Sequence, residues 1–242
     1  MKCALCLRDA KLCDSHIIPE FLYATLYDDK HRFQAITVDS QKRDRQYQKG
    51  LREKLLCDSC EQSLSLPESY MSKVLNGGVG LLVHREENRL HLSGLDYRLL
   101  KLFQLSVLWR AGISTLPEFS QVNLGPHEEA IRLMLLAGNA GAADEYGCIM
   151  SLAMHESMPL TAIVVPPTWA RFAGHRAYRF VFGGLVFIYV VTGAKLAAGL
   201  RLAFAQENGS AIVRLQAVTD MRFLMDTFGK LSALGKLDEQ RA

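Results

Sequence analysis

Cys3-Ala4-Leu5-Cys6 and Cys57-Asp58-Ser59-Cys60 are the two stretches that decide how the first part of this 242-residue chain folds. Each is a Cys-x-x-Cys pair, which presents two sulfurs from one tight turn, and Zn²⁺ takes four ligands in a tetrahedron. A redox-active pair occurs singly at the start of a helix, whereas here there are two pairs. The spacing therefore predicts one structural zinc ion held by Cys3, Cys6, Cys57 and Cys60.

Two cysteines, Cys13 and Cys148, remain outside this set. We interpret Cys13 as unpaired, with a spare zinc ligand as the alternative, and Cys148 as a small buried residue. The fifty residues from 7 to 56 exceed the gap of ~15–20 residues in compact zinc ribbons, so we expect an insertion between the two pairs. A cysteine redox protein is a further alternative, which the duplication of the pair disfavours.

Composition is that of an ordinary globular protein, with 49% apolar and 22% charged residues. The net charge of +3 neither requires nor excludes a nucleic-acid partner. The N-terminus lacks the pattern of a signal peptide. The longest apolar run, Phe180 to Val191, is interrupted by two glycines and favours a buried strand over a membrane helix. We therefore expect a cytoplasmic protein without a membrane partner.

The chain changes character at residues 75–80, where polar, cysteine-containing sequence gives way to apolar, periodic sequence. This change predicts two domains, a zinc-bound domain at residues 1–75 and an α+β domain of unknown role at residues 81–242. In the first part, apolar patterns predict a helix at 20–27, a strand at 33–38, a loop at 41–49 and a helix at 61–74 broken at Pro67. In the second part, they predict a hairpin at 81–84 and 89–92, helices at 96–111, 125–136 and 220–234, and strands at 147–153, 160–165, 176–182 and 185–192.

The segment Ser15-His16-Ile17-Ile18-Pro19 lies between the two cysteine pairs, and Leu55-Leu56 leads into the second pair, which Glu61 follows. This order resembles the HNH endonuclease superfamily, and more specifically bacterial HNH-endonuclease-like proteins. The resemblance covers residues 1 to about 73. It implies an α+β protein that begins with a zinc-bound treble clef, a ββα-metal finger, followed here by a mixed helix and antiparallel-sheet domain.

The resemblance also implies an activity, the divalent-metal-dependent hydrolysis of DNA phosphodiesters. His16 matches the histidine that acts as general base, a role that suits an imidazole because it can be neutral and basic at cellular pH. Asp14 and Glu61 are the candidate ligands for a catalytic Mg²⁺ or Mn²⁺, which prefers hard oxygen donors. His16, Asp14 and Glu61 are thus the catalytic residues that the resemblance implies.

The sequence departs from the family pattern at three points. Ser15 stands where active members often have an acidic or imidazole ligand, the central Asn is missing from residues 50–54, and Glu61 replaces a histidine. A second reading is therefore a catalytically degenerate zinc treble clef that binds nucleic acid or a protein partner. In that reading His16 is a core histidine near the zinc site, and Glu61 is a solvated or capping carboxylate at a helix start.

The most basic window of the chain, residues 42–54, lies between the cysteine pairs and holds six basic and two acidic residues. Basic side chains neutralise phosphates, and an aromatic ring can stack or hydrogen-bond, so the window predicts contact with nucleic acid, expected to be DNA. The candidate contact residues are Lys42, Arg43, Arg45, Tyr47, Lys49 and Arg52. A solvated loop is the alternative. The second part contains no nucleotide-binding loop.

Overall fold

The computed structural model describes residues 1–194 and 196–237, and it confirms a mixed α+β protein. The elements of the first part are β1 (Leu12–His16), a 3₁₀ helix (Glu20–Leu26), β2 (Arg32–Ala35), β3 (Arg45–Gln48), β4 (Arg52–Cys57) and α1 (Asp58–Leu75). Those of the second part are β5 (Leu82–Glu86), β6 (Arg89–Ser93), α2 (Tyr97–Ile113), α3 (His127–Ala137), β7 (Cys148–His155), β8 (Met158–Pro159), β9 (Val164–Phe172), β10 (His175–Phe182), β11 (Leu185–Val190), α4 (Ala198–Arg201), β12 (Ala211–Ala217) and α5 (Arg222–Ala233). Within the described residues, no helix combines the length and hydrophobicity that a membrane span requires.

A two-stranded antiparallel pair organises the first part. β1 pairs with β4, so that Leu12 lies opposite Cys57 and His16 lies opposite Arg52. α1 begins directly after β4. The segment between β1 and β4 contains the 3₁₀ helix and a second hairpin of β2 and β3. This segment is the insertion that the long spacing between the cysteine pairs predicts.

Two predictions for the first part are wrong. The polar stretch 41–49 is not entirely a loop, because Arg45–Gln48 forms β3 and pairs with β2. The ring of Tyr47 stacks on that of Phe33, its partner on β2, with ring centroids 5.5 Å apart, and this contact adds to the backbone pairing of a strand that is otherwise polar. Helix α1 also continues through Pro67 without a break. Pro67 is buried there, so tertiary packing outweighs the cost of about 3 kcal/mol for an interior proline.

The second part is built on an eight-stranded sheet with the strand order β5-β6-β12-β7-β11-β10-β9, in which β8 adds to β7. An antiparallel sheet is predicted from the sequence, but the observed sheet is mixed, because β12 runs parallel to β7. The chain leaves β7 at His155 and returns as β12 at Ala211, and the strands β8 to β11 lie in between, so the connection is far longer than the dozen or so residues that a parallel pair needs. β9 tolerates Pro166 and Pro167 because it is an edge strand.

The apolar run Phe180 to Val191 forms strands, as predicted. It comprises the end of β10, a turn and β11, which pair antiparallel. The turn residues Gly183 and Gly184 have φ values of 56° and 77°, a conformation that side chains other than glycine adopt with strain. The predicted hairpin of β5 and β6 and the three long helices of the second part are also confirmed.

Helix α2 is buried on all sides and connects the two parts of the chain. Asp96 is its N-cap, as predicted, because the carboxylate accepts a hydrogen bond of 2.9 Å from the Leu99 amide. The helix packs against both α1 and α3. One continuous hydrophobic cluster includes Leu64 of α1, Leu108 of α2 and Phe187 of β11. Residues of both proposed domains therefore share a core, and the boundary at residues 75–80 stays a prediction.

Lys101 of α2 is an ionisable group inside this core, with only 2% of its surface exposed. Its Nζ donates hydrogen bonds to the carbonyl oxygens of Ala143, at 3.3 Å, and Tyr146, at 3.1 Å. Burial disfavours the charged amine and lowers the pKa of Lys101 to about 8.

We expect the free energy of unfolding to rise between about pH 8 and pH 10 in the wild type and not in Lys101→Met. The unfolded chain keeps the lysine proton up to about pH 10.4, whereas the folded chain releases it near pH 8. Unfolding therefore takes up a proton in this window, and stability rises by roughly 3 kcal/mol. Urea unfolding of both proteins at pH 7.5 and pH 10 measures the difference, and parallel pH dependences in the two proteins would contradict it.

Candidate metal centre

Four sulfur atoms meet at the junction of β1, β4 and α1. The Sγ atoms of Cys3, Cys6, Cys57 and Cys60 all lie within 4.8 Å of one another. Those of Cys6 and Cys57 are 3.8 Å apart. A tetrahedron of thiolates with metal–sulfur bonds of about 2.3 Å has edges of about 3.8 Å, so the cluster fits a metal ion such as zinc. In the described part of the chain, no other group of three or more His, Cys, Asp or Glu side chains is gathered as closely.

Backbone hydrogen bonds place the two cysteine pairs beside each other. The first pair lies in a turn closed by the Leu7 amide, which donates to the Cys3 carbonyl at 2.9 Å. The Ala4 amide donates to the Leu55 carbonyl, also at 2.9 Å, and so attaches this turn to β4. Cys57 ends β4, and its amide points at the Sγ of Cys3 at 3.3 Å. The contacts of the first turn with Leu55 and Cys57 thus hold the two cysteine pairs side by side.

The ionisation of the sulfurs favours a bound cation. A hydrogen bond with the Ser59 hydroxyl, whose oxygen is 3.3 Å from Sγ, lowers the pKa of Cys57 to about 6. Burial and the neighbouring sulfurs raise the pKa of Cys60. Four clustered thiols cannot all ionise without a positive charge between them, and a divalent cation supplies that charge.

The two other cysteines lie outside the cluster. Cys13 is on β1, and its pKa is raised, chiefly by desolvation. Cys148 begins β7 and is buried, which confirms its interpretation as a small core residue.

His16, the predicted general base, ends β1 and is held by the turn that precedes β4. Its Nε2 lies 2.8 Å from the carbonyl oxygen of Lys49. A carbonyl can only accept a hydrogen bond, so Nε2 carries the proton and the neutral ring has its lone pair on Nδ1. A Cβ atom at Gly50 would lie 3.2 Å from Cδ2 of His16, and the φ of Gly50 is +75°. Glycine therefore allows this turn to close on the imidazole.

Asp14 and Glu61, the predicted metal ligands, occupy separate surroundings. Asp14 shares a face of β1 with His16, and an ion pair of 3.0 Å with Lys54 lowers its pKa. Glu61 lies in the first turn of α1, and its Oε1 is buried without a hydrogen-bond partner among the described residues. The ligand atoms of Asp14, His16 and Glu61 do not form a close group in the described structure.

Ser15, at a position where the HNH resemblance leads one to expect a metal ligand, is buried. Its hydroxyl accepts a hydrogen bond from the Leu56 amide at 3.2 Å and so joins β1 to β4. Because side chains alternate along a strand, a residue at position 15 points away from the face that carries Asp14 and His16. The Ser15 hydroxyl therefore serves the pairing of β1 with β4, next to the cysteine cluster.

The basic window is largely exposed, as a nucleic-acid contact requires. Arg43, Arg45 and Lys49 are exposed, and the Lys42 side chain is 74% exposed beside Asp39. Arg52 is half-buried opposite His16. The hydroxyl of Tyr47 is already engaged, because it donates to Glu118 of the second part. Tyr47 therefore connects the two parts of the chain.

Two buried arginines of the second part, which the motif patterns did not single out, support the site. Arg110 of α2 is 1% exposed, and its Nη1 donates to the His16 carbonyl at 2.6 Å. Its Nη2 forms an ion pair with Glu68 of α1. Arg132 of α3 donates to the carbonyl of Leu5 at 2.5 Å. Each of these arginines lies within an apolar helical stretch of the sequence. That pattern indicates a charged side chain with buried partners, because charged residues are rarely buried unless they are paired.

Comparison with known proteins finds no family model, curated protein or solved structure that matches the chain. The HNH resemblance therefore depends on the motif residues, and the metal centre depends on the geometry of the four sulfurs.

Proposed function

We propose that the four cysteines bind one structural Zn²⁺, and that β1, β4 and α1 form a zinc-bound treble clef of the ββα-metal type. The support is the order of the elements and the arrangement of the sulfurs, with one cysteine pair before β1 and the other at the junction of β4 and α1. All four positions are occupied by protein ligands, so this zinc ion is structural.

On this scaffold, the protein acts as an HNH-type endonuclease that cleaves DNA phosphodiesters with His16 as the general base. The observation that carries the proposal is the orientation of His16. Its Nε2 is held by the Lys49 carbonyl, and Nδ1 has no partner among the described residues. A water molecule that attacks phosphorus can transfer its proton to this nitrogen. Arg52, directly opposite His16, and the exposed Lys49 supply positive charge for the phosphate.

The residues present fit a divalent cation in part. The buried oxygen of Glu61 has no donor, which costs free energy that a cation would recover. Asp14 is paired with Lys54, but an exposed ion pair contributes only about 0–1 kcal/mol and is easily exchanged. The HNH resemblance assigns Mg²⁺ or Mn²⁺ to Glu61 and Asp14, and these are the residues that would hold it, although their ligand atoms and those of His16 do not form one close group among the described residues. When bound, such an ion stabilises the negative charge on the leaving oxygen.

A second candidate function is a zinc module that binds nucleic acid, or a protein, without cleaving it. The separate surroundings of Asp14 and Glu61 favour this alternative. A plasmid-nicking assay with added Mg²⁺ or Mn²⁺ distinguishes the two functions, since only the endonuclease converts supercoiled DNA to the open circle.

The endonuclease and a module that binds nucleic acid both predict that the basic window binds DNA, whereas a module that binds a protein does not. Replacing Lys42, Arg43 and Arg45 by Ala should weaken binding and reduce the slope of log K against log salt by about 0.9 for each lost phosphate contact. Fluorescence anisotropy with labelled duplex DNA at several salt concentrations measures both quantities. The matched control replaces Arg85, Arg89 and Arg214, three exposed arginines of the large sheet, and removes the same charge. Equal effects of the two triple variants would show that only net charge matters.

A further inference from the structure

Arg132 joins helix α3 to the turn that carries the first two cysteines. Its Nη1 donates a hydrogen bond of 2.5 Å to the carbonyl oxygen of Leu5, the residue just before Cys6. The contact spans 127 positions of sequence. Leu5 is itself buried, so this carbonyl has little access to water. The orientation of the Leu5–Cys6 peptide therefore depends on a donor from the second part of the chain.

A carboxylate fixes the guanidinium in place. Nε and Nη2 of Arg132 donate to the two carboxylate oxygens of Glu129, each at 2.7 Å. This bidentate arrangement restricts the guanidinium plane and leaves Nη1 directed at Leu5. The Arg132 side chain is only 10% exposed, while that of Glu129 is 61% exposed. Arg132 thus has one partner at the surface and one in the cysteine turn.

The charge of Arg132 also suits the metal centre. Four thiolates around Zn²⁺ carry a formal charge of −2, and a buried negative charge is costly unless a positive charge lies near it. The contact with the Leu5 carbonyl places the positive guanidinium of Arg132 beside the turn that carries Cys3 and Cys6. The same side chain therefore orients the ligand turn and offsets part of the charge of the metal–thiolate cluster.

We propose that Arg132, fixed by Glu129, is a positioning residue of the metal centre and controls how tightly the first cysteine pair retains zinc. This inference rests on the proposed zinc site. Outer contacts of this kind typically change metal affinity by about 10–100-fold when they are removed. Zinc retention in the first part of the chain is thereby linked to the packing of α3 in the second.

The test is the rate of zinc transfer from the full-length protein to a chromogenic chelator, together with the absorption spectrum of the cobalt-substituted protein. Arg132→Met, which removes both hydrogen bond and charge, should release zinc about 10–100-fold faster and alter the cobalt–thiolate bands. Arg132→Lys keeps the positive charge but loses the bidentate geometry of the guanidinium. Its rate of zinc release should therefore lie between those of the wild type and Arg132→Met. Glu129→Gln should accelerate release less, because Arg132 keeps its contact with Leu5.

Ile131→Val is the matched control, since Ile131 is a buried neighbour on α3 and the change lowers stability by about 0.5–1.5 kcal/mol. This variant should melt earlier but release zinc at the wild-type rate. Wild-type release and an unchanged cobalt spectrum in Arg132→Met would overturn the inference. If Arg132→Met does not fold, wild-type release from Arg132→Lys and Glu129→Gln overturns it. Wild-type protein without zinc would instead refute the metal centre itself.

Discussion

Cys57→Ser should abolish stoichiometric zinc binding and unfold the first part of the chain, which ends with α1. The alcohol of serine is a poor ligand for zinc compared with a thiolate, and three sulfurs do not close a tetrahedral site. Structural zinc contributes about 10–16 kcal/mol in small zinc-bound domains, which exceeds or equals the total stability of many domains. Cys57 also ends β4, and its amide contacts Cys3, so the loss acts at the centre of the cluster.

The structure further predicts that this loss spreads into the second part. Arg110 and Arg132 donate to carbonyl oxygens of the first part, and Glu53 accepts hydrogen bonds from Ser114 and from the Thr115 amide. If the first part unfolds, the two buried guanidinium groups lose these acceptors, which is costly in a core. We therefore expect the whole variant to melt at a much lower temperature than the wild type.

Elemental analysis and thermal unfolding followed by circular dichroism measure these effects. Cys13→Ser is the matched control, because Cys13 lies on β1 outside the cluster and its variant should keep one zinc per chain. A wild type purified without chelators that contains no zinc would contradict the site. A second part that melts at the wild-type temperature in Cys57→Ser would show that the two parts are independent domains.

Local sequence patterns predicted much of the fold. The two cysteine pairs identify their cluster because a tight turn brings each pair together whatever the rest of the chain does. Asp96 marks the start of α2 in the sequence because an N-cap is a local interaction, here with the amide of the third following residue, Leu99. The β5–β6 hairpin is set by a short turn between alternating strands.

Contacts between distant residues could not be predicted in this way. The bonds of Arg110 to His16 and of Arg132 to Leu5 join positions 94 and 127 residues apart, and no local pattern encodes such a partner. β12 has a place in the sheet only because the chain returns parallel to β7. The surroundings of Asp14 and Glu61 likewise depend on how β1 and α1 lie relative to each other. The order of the motifs along the sequence does not determine that arrangement.

His16→Ala should reduce DNA cleavage by about 10²–10⁴-fold while zinc content stays at the wild-type level. His16 is not among the four sulfur ligands, so the metal centre should survive its removal. The imidazole contributes one hydrogen bond, to the Lys49 carbonyl, and water can replace that donor because the side chain is 23% exposed. We therefore expect a large fall in the rate of DNA cleavage and only a small fall in the free energy of unfolding.

His16→Gln separates the catalytic role from the structural role. A glutamine amide can donate to the Lys49 carbonyl as the imidazole does, but it has no basic nitrogen to accept a proton from water. We expect this variant to fold and bind DNA like the wild type and to be as inactive as His16→Ala. Plasmid nicking with Mg²⁺ and Mn²⁺ at matched zinc content measures the rates, and His84→Ala, on the exposed strand β5, controls for the loss of a histidine.

The same assay decides between the endonuclease and the binding module. General-base catalysis requires that both His16 variants lose activity and that His84→Ala keeps it, with DNA affinity unchanged in all three. Equal nicking by the wild type and His16→Gln would remove His16 from the mechanism. If no divalent ion supports nicking by the wild type while DNA binding persists, the zinc scaffold serves binding alone.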